Sequence, residues 1–218
     1  MNRIFAGLNR LLLAAAFAAA AFAGAPGQAA AQTIIDEWSK VTVPPAPAVK
    51  PVTVNAKTTA LLVMDLLKQT CNNDRRPRCV ASIPKVKELI AAAKAKGVTL
   101  IYTVIPGAKV EDYLPDVAPP PGVLLFTAGV DKFIGTDLEK TLKDKGITTV
   151  IAVGTAAQGA VLYTGSEAAV RGLNVIVPVE GMTSESTFGE LATAWVFANA
   201  PVIAAKITLT KMSMITYQ

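Results

Sequence analysis

Residues 147–180, ITTVIAVGTAAQGAVLYTGSEAAVRGLNVIVPVE, restrict the fold more than any other part of the chain. The segment reads as a buried strand (Ile147–Val153), a tight turn Gly154-Thr155-Ala156-Ala157-Gln158-Gly159, a helix over Ala157–Arg171 and a second buried strand, Asn174–Val179. Continuous apolar strands joined by a helix belong to a parallel sheet covered on both faces. In such a sheet ligands settle beyond the C-terminal ends of the strands, where the first free N–H groups of the next helix favour an anion. The turn therefore marks a candidate site before any side chain is considered.

The rest of the chain repeats the pattern. Thr59–Asp65 (TALLVMD) is an apolar run ending in a carboxylate, Val98–Ile105 and Val123–Thr127 are further strands, and Val202–Thr210 is a sixth. Helices are predicted over Pro84–Lys96, with Pro in the first turn and Gly97 after the end, over Asp137–Lys145, and over Thr187–Asn199 behind a capping box. Leu66–Ile83 is expected to be a long polar loop, and Pro106–Gly122 is a proline-rich loop of the length that usually covers a site. Ile34–Lys40 is expected to form a short amphipathic turn around Trp38, and Val43–Pro51, with four prolines, an extended strap. Strands alternating with helices imply an α/β fold, a doubly wound sheet in three layers with right-handed crossovers.

The apolar fraction of 52% is inflated by the N-terminus. Arg3 and Arg10 precede or flank an apolar run, Leu11–Ala23, and Ala29-Ala30-Ala31 supplies small residues suited to a signal peptidase. The run is too short for a stable membrane span. The reading is a signal peptide over 1–31, export to the periplasm of a bacterial-type cell, and no membrane attachment after cleavage. An N-terminal extension and strap over 32–58 then lead into one domain over 59–218. Without Arg3 and Arg10, the 21 basic residues fall to 19 against 16 acidic ones, a balance that does not indicate nucleic acid. The cluster Arg75-Arg76-Pro77-Arg78 is read as a solvated loop, with an anion-binding patch as the alternative.

There are two cysteines, Cys71 and Cys79, and no histidine. In an exported protein the default for two cysteines in one loop is a disulfide; a catalytic or metal-binding thiol is the alternative. Without histidine, imidazole bases, His-based triads and His metal ligands are excluded. No carboxylate cluster suggests a metal site, and no cofactor is called for. Gly154 and Gly159 have the spacing of a phosphate loop, but Ala160-Val161 stand where Lys-Ser/Thr is required, and Ala156 breaks a dinucleotide fingerprint.

TALLVMD resembles the opening strand of the isochorismatase-like (cysteine hydrolase) superfamily, which ends in a catalytic Asp. FIGTDLEKTLKDKGITTVIAVGTAAQGAV resembles that family's Phe-x-Gly-Thr-Asp-Leu helix, fourth strand and site turn. The resemblance spans about 150 residues of the chain. It implies a six-stranded parallel sheet of order 3-2-1-4-5-6, with Asp65 and the Gly154 turn on neighbouring strands, and a cis peptide at Thr155-Ala156. Family members often assemble, so a homo-oligomer is admitted, although nothing in the sequence marks an interface.

The departures from the family pattern bear on the chemistry. The nucleophilic Cys of the family's amidases would stand at Ala160, and its Lys, six residues before the motif phenylalanine, at Thr127. Covalent amide hydrolysis through a thiolate therefore cannot run by the family route. The isochorismatase branch has a small residue at the Cys position and hydrolyses a vinyl ether with the Asp and a nearby Lys, which Ala160 allows. The sequence expectation is a hydrolase of a small molecule working without a covalent intermediate. Asp65 moves the proton, its pKa raised by burial at the strand end, and Lys132 or Lys68 supplies the missing amine. Thr127, Thr155, Ala156, Gln158, Ala160 and Tyr163 are the candidate ligand contacts. The alternative is a catalytically silent relative that binds a small ligand or a protein partner in the same crevice, with Asp65 tethering a loop.

Overall fold

The structure is a computed structural model that describes residues 33–218, so the signal-peptide reading lies outside the described residues. Contacts divide the chain between Pro44 and Pro45. In the first unit a single turn, α1 (Ile34–Glu37), is capped by the Asp36 carboxylate. It accepts the Thr33 N–H and hydroxyl at 2.8 Å. A 3₁₀ turn, Trp38–Lys40, follows.

The unit from Pro45 to Gln218 is built on one parallel sheet. Its elements in chain order are β1 (Val52–Val54), β2 (Thr59–Met64), α2 (Pro77–Ala95), β3 (Thr99–Val104), β4 (Leu124–Thr127), α3 (Leu138–Asp144), β5 (Thr149–Thr155), α4 (Leu162–Val170), β6 (Asn174–Pro178), β7 (Met182–Thr183), α5 (Thr187–Asn199), β8 (Ile207–Thr210) and β9 (Ile215–Tyr217). The main sheet has the order β4-β3-β2-β5-β6-β8, which is the expected 3-2-1-4-5-6 path. A seventh strand corrects the count of six: β7, two residues long, pairs Met182 and Thr183 with Gly154 and Thr155. The C-terminus adds a second, two-stranded sheet in which β9 pairs with β1.

The sheet is three-layered because its strands are apolar on both faces. All six residues of β2 are buried, and they alternate between two cores. Leu61 and Val63 join α2 residues such as Val86 and Leu89 on one face. Ala60, Leu62 and Met64 join Leu138, Ala168 and Phe197, from α3, α4 and α5, on the other.

Three element boundaries differ from the sequence reading. Helix α2 begins at Pro77, not Pro84, so the supposed loop 66–83 is shorter. Pro84 lies inside the helix on its exposed side, while Cys79, Ile83, Val86, Leu89 and Ala93 face the core at helical spacing. The predicted helix over Ala157–Arg171 opens instead as a wide turn, Ala157–Val161, and becomes α-helical only from Leu162. The sixth strand is shortened to Ile207–Thr210, because a 3₁₀ turn occupies Ala204–Lys206.

Cys71 and Cys79 form a disulfide and are both buried. The bridge joins the loop after β2 to the first turn of α2. Closing so short a loop contributes about 2–3 kcal/mol in the chain-entropy picture. Urea unfolding with and without a reductant that opens this bond should show that loss as a lower midpoint; coincident curves from fully reduced protein would contradict it.

Candidate active site

Asp65 follows β2 directly, at the C-terminal edge of the central strand. Its backbone leaves the strand conformation with φ +56°. This left-handed region is unusual for a residue with a Cβ and points to an enforced position. The enforcing contacts are present: the Asp65 N–H donates to the Thr103 carbonyl at 3.3 Å, and the Asp65 carbonyl accepts from Leu67 N–H at 2.9 Å and from the Thr70 hydroxyl. The covering loop also packs here. Tyr113 is buried, with its hydroxyl 2.6 Å from the Thr103 carbonyl and 3.0 Å from that of Val63.

The carboxylate has two partners. Its Oδ2 accepts from the Lys132 Nζ at 2.6 Å, and its Oδ1 accepts from the Thr103 hydroxyl at 2.7 Å. The side chains of Asp65 and Lys132 are 4% and 0% exposed, so this is an ion pair removed from bulk water. Burial pushes the Asp65 carboxyl above its usual value, opposed by the charge and hydrogen bond of Lys132, the Thr103 hydroxyl and the more distant charge of Arg76. The desolvation outweighs the pairing.

Lys132 is delivered by a loop with several anchors. Its N–H donates to the Thr164 hydroxyl of α4 at 3.2 Å, and its carbonyl accepts from the Thr136 hydroxyl at 2.6 Å. Phe133 beside it is buried under the guanidinium of Arg171, 5.0 Å from the ring centroid. The ammonium also donates to the Gly129 carbonyl at 2.7 Å. An ammonium has three hydrogens, so these two bonds leave a third for another acceptor.

The turn lies beside the acid. Met64 pairs with Gly154 across β2 and β5, which places Asp65 next to the Thr155-Ala156 peptide, and that peptide is cis. Ala160 is buried. Within the wide turn, the N–H groups of Gly159 and Val161 both donate to the Ala156 carbonyl, at 3.0 and 3.3 Å. The expected ring of amide donors is thus partly used up internally. Gln158 accepts from the Ser184 hydroxyl at 2.6 Å, and the Thr155 hydroxyl donates to the Thr183 carbonyl at 3.1 Å.

Not every candidate joins the site. Lys68 is exposed, and its amine donates to the Glu111 carbonyl at 3.2 Å, away from Asp65. Thr127 is exposed at the end of β4, and Tyr163 is 55% exposed on α4. Conversely, the arginine cluster is not a solvated loop. Arg76 is buried, and Arg75 and Arg78 pair with Glu185 and Glu190, at 2.6 and 2.5 Å. Those acids lie more than 100 residues away in sequence, which is why the cluster looked unpartnered. Among the described residues no group of three or more Cys, Asp or Glu side chains is placed to hold a metal, and no helix is long and apolar enough to cross a membrane.

The family model described as "Isochorismatase domain" matches residues 59–207. Solved structures agree in fold. An isochorismatase family protein from Burkholderia thailandensis is 22% identical with a TM-score of 0.64, over 76% of this chain and 97% of that one. A cysteine hydrolase from Pseudomonas syringae pv. phaseolicola is 18% identical with a TM-score of 0.63, over 77% and 94%. An N-carbamoylsarcosine amidase from Thermoplasma acidophilum is 18% identical with a TM-score of 0.60, over 71% and 96%. No curated protein matches the chain.

Proposed function

The chain belongs to the isochorismatase family, and we propose that it is a hydrolase of a small anionic molecule that works without a covalent intermediate. The observation that carries this reading is the buried ion pair of Asp65 and Lys132. With alanine at position 160 the turn offers no thiol, and its one hydroxyl, that of Thr155, is engaged by the Thr183 carbonyl, so water is the nucleophile and the protein's task is proton transfer and charge stabilisation. Asp65 is the acid: a carboxyl whose pKa is raised by burial holds a proton closer to neutrality than a solvated one.

A vinyl ether suits this equipment. Proton delivery to its terminal carbon leaves an oxocarbenium ion, water adds to the oxygen-bearing carbon and gives up a proton, and the resulting hemiketal releases alcohol and ketone. Lys132 holds the Asp65 carboxylate after the proton has left, and its remaining N–H is available to an oxygen of the substrate. The lysine occupies a different sequence position from the family's, five residues beyond Thr127. A long, flexible side chain can bring its amine to the same acid from more than one backbone site, so the pair is rebuilt rather than lost. The buried disulfide and the signal-like N-terminus support action outside the cytoplasm.

A screen of 2-alkoxyacrylates, small amides and small esters against wild type and Asp65→Asn tests the reading. Hydrolysis of a 2-alkoxyacrylate to pyruvate and alcohol is expected, falling at least 100-fold in Asp65→Asn, the range set by loss of a general acid. Activity indifferent to that substitution would remove Asp65 from the mechanism.

A further inference from the structure

A path of hydrogen bonds, two of them to backbone carbonyls, and one step along the chain leads from Asp65 round to the turn. The Thr70 hydroxyl donates to the Asp65 carbonyl, and the Thr70 carbonyl accepts from Nη1 of Arg76 at 2.9 Å. Nη2 of Arg76 donates to Oε1 of Glu185 at 3.2 Å. Ser184, next to Glu185, donates to Gln158 in the wide turn. Arg76 is therefore part of the wall around Asp65, and the disulfide to Cys79, three residues on, fixes the loop that carries it.

Its guanidinium is used unevenly. The side chain is only 9% exposed, yet the buried Nε has no partner among the described residues. Nε and Nη2 form the edge of an arginine that grips both oxygens of a carboxylate. Here a single Glu185 oxygen touches that edge, and the same oxygen is held more closely, at 2.6 Å, by Arg75. Glu185 is 46% exposed on the short connection between β7 and α5, so it can leave Arg76 while keeping Arg75. A groove of about 570 Å³ borders the same connection, lined by Thr183 before it and Thr187 after it, with Arg78 and Glu190. Thr183, which pairs with Thr155 beside the cis peptide, has a buried hydroxyl that is also without a partner.

We propose that Arg76 is the residue that selects an anionic substrate: its Nε–Nη2 edge takes both oxygens of the substrate's carboxylate, and Glu185 is the internal carboxylate that this substrate displaces. Arg76 and Asp65 are near enough for each charge to influence the other. The inference rests on the proposed hydrolase reading for placing the substrate in this crevice.

Binding of 2-methoxyacrylate and of its neutral methyl ester, measured by ligand-observed NMR titration, separates the two ideas. Wild type should prefer the acid by tenfold or more. Arg76→Met should abolish the preference, Arg76→Lys should keep part of it, and Glu185→Gln should tighten the acid severalfold with little change for the ester. Asp65→Asn should keep the preference while losing turnover. Equal binding of acid and ester by wild type overturns the proposal, as does a preference that survives Arg76→Met. If Arg76→Met does not fold, an acid affinity unmoved by Glu185→Gln overturns it instead. Turnover insensitive to Asp65→Asn alongside an intact preference would count against the hydrolase reading alone.

Discussion

Lys132→Met is expected to abolish turnover and to lower stability at neutral pH by about 3–5 kcal/mol, the usual result of removing one partner of a buried ion pair. The loss comes mainly from what remains. The Asp65 carboxylate would stay buried, with the Thr103 hydroxyl as its only close hydrogen-bond donor among the described residues. Burial already raises its pKa, and Lys132 is the foremost influence opposing that rise. Without the ammonium the folded-state pKa climbs further above the unfolded value. A carboxyl shifted in that direction favours the folded state in its protonated form, so the penalty is absent below the unfolded pKa and grows as pH rises toward the folded one. The variant should therefore regain stability relative to wild type on acidification from neutral pH toward the ordinary carboxylate range. Urea midpoints at about pH 5 and pH 8 test this: a deficit equal at both would mean that Lys132 matters for packing rather than charge. The double variant Asp65→Asn with Lys132→Met should be more stable than Lys132→Met alone, because no buried charge is left unpaired.

The sheet path was legible because each strand is a continuous apolar run and each crossover has one hand. The position of the Asp65 carboxylate was legible because a carboxylate ending such a run stands at the C-terminal edge of the sheet, where ligands bind in open α/β folds. The amine was not resolved from Lys68 by spacing alone. Both lysines lie in loops, and what separates them is where an extended side chain ends: Lys132 points inward from a backbone pinned by Thr136 and Thr164, and Lys68 is drawn outward by Glu111.

The misreadings have separate physical origins, local in three cases and distant along the chain in one. Pro84 looked like the start of a helix because proline is at home in a first turn, but Pro77 satisfies the same rule, and Cys79 and Ser82, both buried, extend the core face back to it. Arg76 looked solvated because Glu185 is 109 residues away. Strand β7 is two residues long and too short to carry any periodicity. The wide turn at Ala157–Val161 replaces the first helical turn because Gly159 departs from helical geometry, at φ −112° and ψ −110°, a freedom that a residue symbol alone does not announce.

Gly154→Ala is expected to prevent folding altogether. A methyl group there would lie 2.1 Å from the Met64 carbonyl oxygen and 2.8 Å from the Met64 Cβ, at a residue with φ +144°. The obstacle is largely backbone of the neighbouring central strand, so no rotamer change relieves it, and β2 and β5 would have to separate where they pair. Overlap of that kind belongs with the losses above about 4 kcal/mol that a domain of this size rarely survives. Gly172→Ala is the control that separates overlap from backbone preference: its φ is +88°, but nothing lies within 4 Å of the added carbon. That variant should fold and lose only about 1–3 kcal/mol. Soluble yield and thermal unfolding of the two proteins give the comparison. If Gly154→Ala melted near wild type, the close approach of Met64 and Gly154 would be wrong, and with it the contact that sets Asp65 beside the turn. The glycine is thus needed for the fold itself, because only a residue without a Cβ lets the strand that leads into Asp65 and the strand that leads into the turn meet at their tips.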